Sequence, residues 1–448
     1  MKLDERLQNV AIIGAAGKMG KGISSLILSE MALTEVRLHA KTHSGNFQLH
    51  LIDTNEALLA SLSLYLRKEL GSYAEKNIQK LRKYYSSNPN LIDNGEMIED
   101  FVDGGLSLVR LSTLLESAKN AFMIFEAIVE DESIKQNLFK ELKKLSVKKP
   151  YFFTNTSSIP IHVLDKEAKL EGHILGYHFY NPPVVQKLIE IIPGKSTHKE
   201  LVDLGNELGK RLGKIMIPSS DAPGFIGNGH FMRDILFGCA LVDELNKEVK
   251  LEEALLMVNT ISESFMIRPM GIFQLIDYVG IDVVHKIFTV MNTYTTGETF
   301  AHDLITNFLT AKIYGGQDIH GAQKDGIFKY EKGKPIAIFS LEKKSYVFFA
   351  EEDIVRTCQE KLGILPSAHI PWKVLINDKN KHEKLKKYFS ELFSMKTLGA
   401  LCAQKYLLKS KAIAKKLVET NVADSLDDVN TVLEHGFFHA YGPSNDYY

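Results

Sequence analysis

The sequence predicts an α/β fold, in which a Rossmann-type domain with a mostly parallel sheet is followed by one or more all-α C-terminal domains. Three observations predict it. A β-branched run near the N-terminus leads into a glycine turn and a helical pattern. Strand-like apolar runs then alternate with helices up to about residue 217, and long helical patterns dominate afterwards. The 448 residues suit about three domains, which we place at residues 1–217, 218–335 and 336–448.

Composition and charge exclude several classes of protein. Hydrophobic residues make up 45% and charged residues 24% of the chain, which excludes a disordered or fibrous protein. The net charge of −1 gives no general attraction to nucleic acid or membranes, and no apolar run reaches the roughly 18 residues that span a bilayer. Cys239, Cys358 and Cys402 lie far apart, which argues against a disulfide framework or a metal site. The opening residues lack a signal-peptide pattern, so we expect a cytoplasmic protein.

The first βα unit has the pattern of a dinucleotide-binding turn. An apolar run at residues 10–13 ends in a glycine turn with the spacing G-x-x-G-x-x-G, and a helical pattern follows. Glycines let the backbone approach a pyrophosphate closely, and the helix N-terminus offers N–H groups and a positive dipole end. A plain tight turn is the alternative, but the strand before it and the helix after it favour phosphate binding. The predicted cofactor contacts in this turn are Gly14, Gly17, Lys18, Met19 and Gly20.

Asp53, at the end of the second predicted strand, is the candidate ribose ligand. It lies 33 residues after Gly20, whereas about 20 residues are usual. We therefore interpret residues 34–46 as an insertion, with a hairpin as its expected form. A carboxylate at this position can accept hydrogen bonds from both ribose hydroxyls and repels a 2′-phosphate, so NAD is expected rather than NADP. Capping the helix that starts at Thr54 is the alternative role, and one residue can serve both.

Polar residues follow three further predicted strands. Glu126, Asn155 and Asn181 each come directly after a short apolar run. Because an open parallel sheet binds ligands at the carboxyl ends of its strands, we expect the active site at this edge.

Seven motifs, in this order, resemble those of the NAD-dependent 3-hydroxyacyl-CoA dehydrogenases over roughly residues 8–330. They are the glycine turn from Gly14, FEAIVE from Phe125, NTSS from Asn155, HFYNP from His178, KLIE from Lys187, DAPGFIGN from Asp221 and PMGIFQLIDYVG from Pro269. Three positions depart from the family pattern. Gly229 stands where an arginine is common, and Ile272 and Gln274 replace the usual Pro and Glu. These departures indicate a divergent member that retains the catalytic residue types.

The resemblance implies roles for individual residues. His178 corresponds to the catalytic base and Glu190 to its partner carboxylate, and the catalytic set is completed by Ser157 and Asn228. The cofactor-side residues are Asp53, Glu130, Lys135 and Asn155, and the substrate-side residues are Ser157, Asn181, Asn228 and Lys76. Taken alone, His178 suits a structural role, Ser157 a turn and Asn228 a helix cap. The shared order of the motifs favours the functional roles.

Oxidation of a secondary alcohol needs these residue types. A base must take the hydroxyl proton while hydride leaves the same carbon, and histidine is suited to this near neutral pH. A carboxylate on the other imidazole nitrogen fixes the tautomer and stabilises the imidazolium. Serine and asparagine can hydrogen-bond the alcohol oxygen as it becomes a carbonyl.

The predicted activity is oxidation of an (S)-3-hydroxyacyl-CoA to the 3-oxoacyl-CoA with NAD, which resembles the third step of fatty-acid β-oxidation. One alternative is a dehydrogenase of a free hydroxy acid or sugar acid. The discriminator is the long, lysine-rich helix predicted at residues 55–85, whose cations could bind coenzyme A phosphates or only be solvated. The other alternative is a catalytically idle NAD(H)-binding scaffold, against which the intact catalytic set argues.

The tail shows a degenerate repeat of the helical domain. Residues 251–260 lead to a Pro/Gly turn at 269–271, and residues 426–433 lead to a Gly-Pro turn at 442–443 after nearly the same interval. Two unrelated helices are the alternative. If the repeat at about residues 390–448 substitutes internally for a second subunit, we expect a monomer or at most a weak homodimer.

Overall fold

The computed structural model describes residues 1–39, 46–86, 88–318, 321–351 and 353–448. The chain divides into two compact units, Met1–Asp221 and Ala222–Tyr448, and each has its own hydrophobic core. Among the described helices, none is long and apolar enough to cross a membrane.

The first unit alternates strands with helices. Its elements are α1 (Leu3–Arg6), β1 (Asn9–Ile13), α2 (Lys18–His39), β2 (Gln48–Ile52), α3 (Glu56–Lys76), α4 (Ile78–Tyr85), α5 (Asn94–Ser107), β3 (Val109–Ser112), β4 (Met123–Glu126), α6 (Glu132–Leu145), β5 (Tyr151–Thr154), α7 (Ile161–Ala168), β6 (Ile174–Phe179), β7 (Leu188–Pro193), α8 (Lys199–Arg211) and β8 (Ile215–Pro218). The lysine-rich stretch is therefore two helices, α3 and α4, rather than one.

The strands of this unit form one sheet in the order β3-β2-β1-β4-β5-β6-β7-β8. β6 and β7 pair antiparallel, and the other neighbouring strands pair parallel. The order reverses between β1 and β4, and doubly wound folds bind ligands at the carboxyl ends of the strands beside such a reversal. The predicted Rossmann-type fold is confirmed.

Helix α2 differs from the insertion predicted at residues 34–46. It runs without interruption to His39, while residues 40–45 lie outside the described part of the chain. Thr34 is buried in this helix, and its hydroxyl accepts a hydrogen bond from Arg211 at 2.8 Å. The same hydroxyl donates to Glu30 one turn earlier, so both of its bonds are satisfied within a continuing helix, where a hairpin was predicted.

The second unit is mainly helical. Its elements are α9 (Gly227–Leu245), α10 (Leu251–Thr260), α11 (Ile272–Val279), α12 (Ile281–Tyr294), α13 (Asp303–Thr310), β9 (Phe328–Glu331), β10 (Lys334–Ser340), β11 (Ser345–Phe348), α14 (Ile354–Leu362), α15 (Trp372–Leu375), α16 (Lys381–Ser394), α17 (Leu398–Glu419) and α18 (Leu426–Gly436). A π-helical turn, Ile261–Phe265, extends α10.

A small antiparallel sheet in the order β11-β10-β9 was not predicted for this helical region. Lys332 and Gly333 join β9 to β10, with φ angles of 49° and 75°. Two positive φ angles in a two-residue turn match the right-handed twist of the flanking strands. The sheet buries Phe328, Ile338 and Val347 in the core of the unit, which is why these residues adopt strands rather than helix.

The two segments of the predicted repeat share local geometry. Asn259 of α10 accepts a hydrogen bond from the backbone N–H of Gln274 at 3.1 Å, and Asn430 of α18 accepts one from Ser444 at 3.0 Å. A glycine, Gly271 or Gly442, stands twelve residues after each asparagine. A Cβ atom at either glycine would collide with the side chain of its asparagine.

The shared geometry extends to the backbone before each glycine. Four residues before Gly271 and Gly442 the backbone adopts a positive φ, 48° at Ile267 and 57° at Phe438. Non-glycine residues rarely adopt this conformation, so its recurrence at matching positions is specific.

Candidate active site

The glycine turn between β1 and α2 is tightly closed. Gly14 has a φ of 77°, and its N–H donates to the carbonyl oxygen of Ile52 at 2.8 Å. A Cβ atom at Gly20 would collide with the carbonyl oxygen of Gly14, so α2 can approach the turn this closely only with glycine. The turn therefore brings the N-terminus of α2 to the switch point of the sheet, which fits a dinucleotide pyrophosphate.

Asp53 joins the second strand to this turn. Its Oδ2 accepts the backbone N–H of Ala16 at 3.0 Å, and its Oδ1 accepts the N–H of Asn55 at 3.1 Å. Asn55, and not Asp53, caps α3, because its Oδ1 accepts the N–H of Leu58 at 3.0 Å. A carboxylate has about four acceptor positions, so Asp53 can hold the turn and still accept ribose hydroxyls.

Two lysines lie on the first turn of α2. Burial, together with the charge of Lys21, lowers the pKa of Lys18 to about 8. The positive end of the helix dipole also disfavours a cation there, and a bound phosphate would offset both effects. The Lys18 side chain remains exposed, so its ammonium group is accessible to such a phosphate. Met19, the residue after Lys18 on α2, is partly buried against the core of the unit. Lys76, the predicted substrate contact, is exposed at the last turn of α3.

A buried ionic network follows β4. The Lys135 ammonium, 1% exposed, lies 2.6 Å from Oε1 of Glu126 and 3.5 Å from Oε2 of Glu130. Burial opposes protonation of Lys135, but the two carboxylates raise its pKa. Burial likewise opposes ionisation of Glu130, but the charge of Lys135 and the hydroxyl and amide donors around it lower its pKa. The network therefore holds its charges at the carboxyl ends of β4 and β5.

Glu130 anchors the loop that carries the predicted serine. Its Oε1 accepts the backbone N–H of Ser157 at 2.8 Å and that of Ser158 at 3.0 Å, and the Thr156 hydroxyl donates to it at 2.8 Å. Thr156 and Ser158 were not predicted as site residues, and Glu126 was predicted only as a polar residue at the ligand edge of the sheet, without a role or partner. The sequence shows only that polar residues follow these strands. It does not show which of them bond one another, because that depends on the order of the strands in the sheet.

His178 and Glu190 meet across the antiparallel pair. They occupy directly opposite positions in β6 and β7, and His178 Nδ1 lies 3.1 Å from Glu190 Oε1. The His178 side chain is 10% exposed and that of Glu190 is fully buried. Such a carboxylate can orient the imidazole and stabilise its protonated form.

Tyr180 joins this pair and was not predicted. Its hydroxyl donates to Oε1 of Glu190 at 2.7 Å, and its ring centroid lies 4.7 Å from that of His178. The period of two along a strand could have indicated that Tyr180 shares a face with His178.

The remaining predicted residues lie at three places. Asn155 follows β5, and its Oδ1 accepts the backbone N–H of Phe179 at 2.9 Å. Asn181 precedes a cis peptide bond to Pro182 in the loop between β6 and β7. Asn228 belongs to the second unit, where it is the second residue of α9. Among the predicted residues of the first unit, the structure pairs His178 with Glu190, and Glu130 with both Lys135 and Ser157.

Comparison with known sequences assigns both units. Residues 9–222 match the 3-hydroxyacyl-CoA dehydrogenase NAD-binding domain, and residues 224–325 match the C-terminal domain of the same enzymes. The chain belongs to the 3-hydroxyacyl-CoA dehydrogenase family. This is a family of NAD-dependent oxidoreductases, so the glycine turn and Asp53 belong to an NAD-binding domain.

Individual relatives agree with this assignment. A 3-hydroxybutyryl-CoA dehydrogenase of Clostridioides difficile is 32% identical over 230 residues, 51% of this chain and 77% of the relative. The mitochondrial hydroxyacyl-coenzyme A dehydrogenase of Sus scrofa is 29% identical over 277 residues, 62% of this chain and 77% of the relative. The crystal structure of 3-hydroxybutyryl-CoA dehydrogenase from Escherichia coli shares the fold, with a TM-score of 0.60 and 19% identity over 98% of this chain and 90% of that chain.

Proposed function

We propose that this family member oxidises an (S)-3-hydroxyacyl-CoA to the 3-oxoacyl-CoA with NAD, as in fatty-acid β-oxidation. The observation that carries the proposal is the buried hydrogen bond between His178 and Glu190. It lies at the same edge of the sheet as the glycine turn. A base oriented by a carboxylate is what removal of a hydroxyl proton requires.

The roles of the side chains follow from this chemistry. His178 takes the substrate hydroxyl proton on Nε2, while Glu190 accepts the hydrogen bond from the Nδ1–H group and stabilises the imidazolium. The backbone N–H and the hydroxyl of Ser157 both bond Glu130 in the structure, and we assign the hydroxyl to donate instead to the substrate oxygen as it becomes a carbonyl. We assign the same task to the amide of Asn228. When bound, NAD supplies the nicotinamide ring that accepts the hydride. Proton and hydride together account for the two hydrogens lost by the alcohol.

The residues that would hold NAD are those of the glycine turn, with Asp53 at the ribose and Lys18 at a phosphate. Glu130 and Lys135 act on the NAD side of the site by fixing the loop after β5. Asn155 acts on the same side by accepting a hydrogen bond from the backbone of β6. We assign Asn181 and Lys76 to the acyl-CoA substrate. The exposure of Lys76 supports contact with a coenzyme A phosphate.

A substrate comparison tests the activity. NADH absorbance should fall when acetoacetyl-CoA is added to the purified protein and stay constant with free acetoacetate. Equal consumption of acetoacetate would favour the alternative, a dehydrogenase of free hydroxy acids. NADH binding without any turnover would favour an idle scaffold.

We further propose that the tail repeats the helical domain and substitutes for a second subunit, which favours a monomer. The matched asparagine, glycine and positive-φ positions support the repeat. Helix α17 packs along α9, where the Tyr406 hydroxyl donates to the carbonyl oxygen of Asp234 at 2.9 Å and Lys405 pairs with Glu244 at 3.0 Å.

We also propose a cytoplasmic location. The three cysteines are buried free thiols, which is typical of proteins in a reducing compartment.

A further inference from the structure

We propose that Tyr180 is a positioning residue that completes the His178–Glu190 pair and sets the pH range in which His178 works as a base. The inference rests on the proposed function of that pair. It adds a third member whose hydroxyl acts on the carboxylate rather than on the substrate.

One carboxylate oxygen receives two donors. The Tyr180 hydroxyl lies 2.7 Å from Oε1 of Glu190, and Nδ1 of His178 lies 3.1 Å from the same atom. Glu190 is fully buried and Tyr180 is 8% exposed, so bulk water does not weaken these two hydrogen bonds. The Tyr180 ring also lies against the imidazole, with the ring planes tilted by 42°. The tyrosine therefore restrains both members of the pair.

The hydroxyl is a donor throughout the working pH range. Burial and the charge of Glu190 raise the pKa of Tyr180 well above its ordinary value. Tyr180 therefore keeps its proton and shares it with the carboxylate. A donor to a carboxylate disperses its negative charge, so the carboxylate attracts the imidazolium less strongly.

This physical effect predicts the direction of a pH shift. Without the hydroxyl, the charge of Glu190 is less dispersed and holds protonated His178 more firmly. The base then becomes available only at higher pH.

Charged groups on the elements next to β6 and β7 have bonding partners of their own. Among them are Glu126, Glu130 and Lys135, which form the network after β4, and Lys214 before β8, which donates to backbone carbonyls of the β6–β7 loop. Asp221 pairs with His162 of α7, and Asp165 of α7 accepts the backbone N–H of Gly172. None of these bonds uses the Tyr180 hydroxyl. A shift measured against the unmodified protein therefore reports the tyrosine.

The test is Tyr180→Phe, with Tyr177→Phe as the matched control. Tyr177 is also buried on β6, but its hydroxyl donates to the carbonyl oxygen of Gly205 in α8, at 2.9 Å. In the direction of alcohol oxidation, we expect the acid limb of kcat/KM against pH to move to higher pH by about half to one unit in Tyr180→Phe. Turnover below that limb falls correspondingly, by about 3- to 10-fold, and Tyr177→Phe leaves the limb in place.

Two further measurements guard against a folding defect. In cofactor-free, full-length Tyr180→Phe, the NMR titration of the His178 imidazole should also move to higher pH. The His178 signal is assigned as the one that is lost in His178→Gln. Replacing Tyr180 with 3-fluorotyrosine, a stronger donor of nearly the same size, should move the acid limb to lower pH.

The outcomes separate this inference from the proposed function. An unmoved limb in Tyr180→Phe, an equal shift in Tyr177→Phe, or a shift in the same direction with 3-fluorotyrosine overturns the role of Tyr180. If His178→Gln retains turnover, the proposed base itself is wrong. If His178→Gln is inactive and Tyr180→Phe has the unmodified profile, only the tyrosine inference fails.

Discussion

His178 and Glu190 face each other from opposite positions of an antiparallel strand pair, with Nδ1 and Oε1 3.1 Å apart. The pair lies on β6 and β7, the one antiparallel step of a sheet whose other described neighbours are parallel. Both side chains are buried, so removing one leaves the other without that partner in a poorly hydrated site. Their contributions to turnover are therefore expected to be coupled.

His178→Gln should lower turnover by at least about a hundredfold while NADH binding stays nearly intact. Glutamine can still bond Glu190 but cannot take a proton. Steady-state turnover of acetoacetyl-CoA and a fluorescence titration of NADH measure the two effects. His162→Gln is the matched control, because His162 pairs with Asp221 away from Glu190 and should leave turnover unchanged. Near-normal turnover or lost NADH affinity in His178→Gln would contradict the assignment.

Glu190→Gln should cause a defect of similar size. The imidazole then loses both the charge that stabilises its protonated form and part of its orientation. A pH–rate profile of the variant should differ in shape from that of the unmodified protein. Glu171→Gln, at an exposed position paired with Lys143, serves as the control. An unchanged profile in Glu190→Gln would mean that the pair does not operate in catalysis.

The unmodified protein should prefer NAD strongly over NADP, and Asp53→Ala should relax this preference. Because Asp53 also bonds Ala16 and Asn55, alanine removes the support of the turn together with the charge. Asp53→Asn separates the two effects, since its amide oxygen can keep one of these bonds without repelling a 2′-phosphate. The ratio of kcat/KM for the two cofactors is the measurement. Equal use of both cofactors by the unmodified protein would place Asp53 away from the ribose.

Removal of the tail should expose apolar surface and cause dimerisation or aggregation. A cut after about residue 335 would fall inside β10, so the cut belongs after Ala350, which keeps the small sheet and removes α14–α18. Light scattering of the full-length and shortened proteins measures the mass. A full-length protein that is a tight dimer, or a shortened one that stays monomeric, would remove the hypothesis of an internal second subunit.

Local sequence was sufficient for the glycine turn and the strand ends. Gly14 and Gly20 stand within one βα unit, and His178 lies within one short motif, so neighbouring residues carry the signal. The length of α2 was misjudged because the long spacing between Gly20 and Asp53 was interpreted as an insertion from Thr34, whereas much of that spacing is the helix itself, which runs to His39 and is held at Thr34 by Arg211. The strands after Phe328 were missed for a similar reason, since their burial depends on the surrounding helical core.

The sequence by itself determined the fold class, the family resemblance and the residue types available for dehydrogenation. Only the tertiary structure decided which of those residues bond one another. Strand order brings Glu130 to Ser157, 27 residues away, and the antiparallel step brings Tyr180 to Glu190. Hydrogen bonds act over about 3 Å, and no spacing along the chain specifies such a distance until the sheet has set the register.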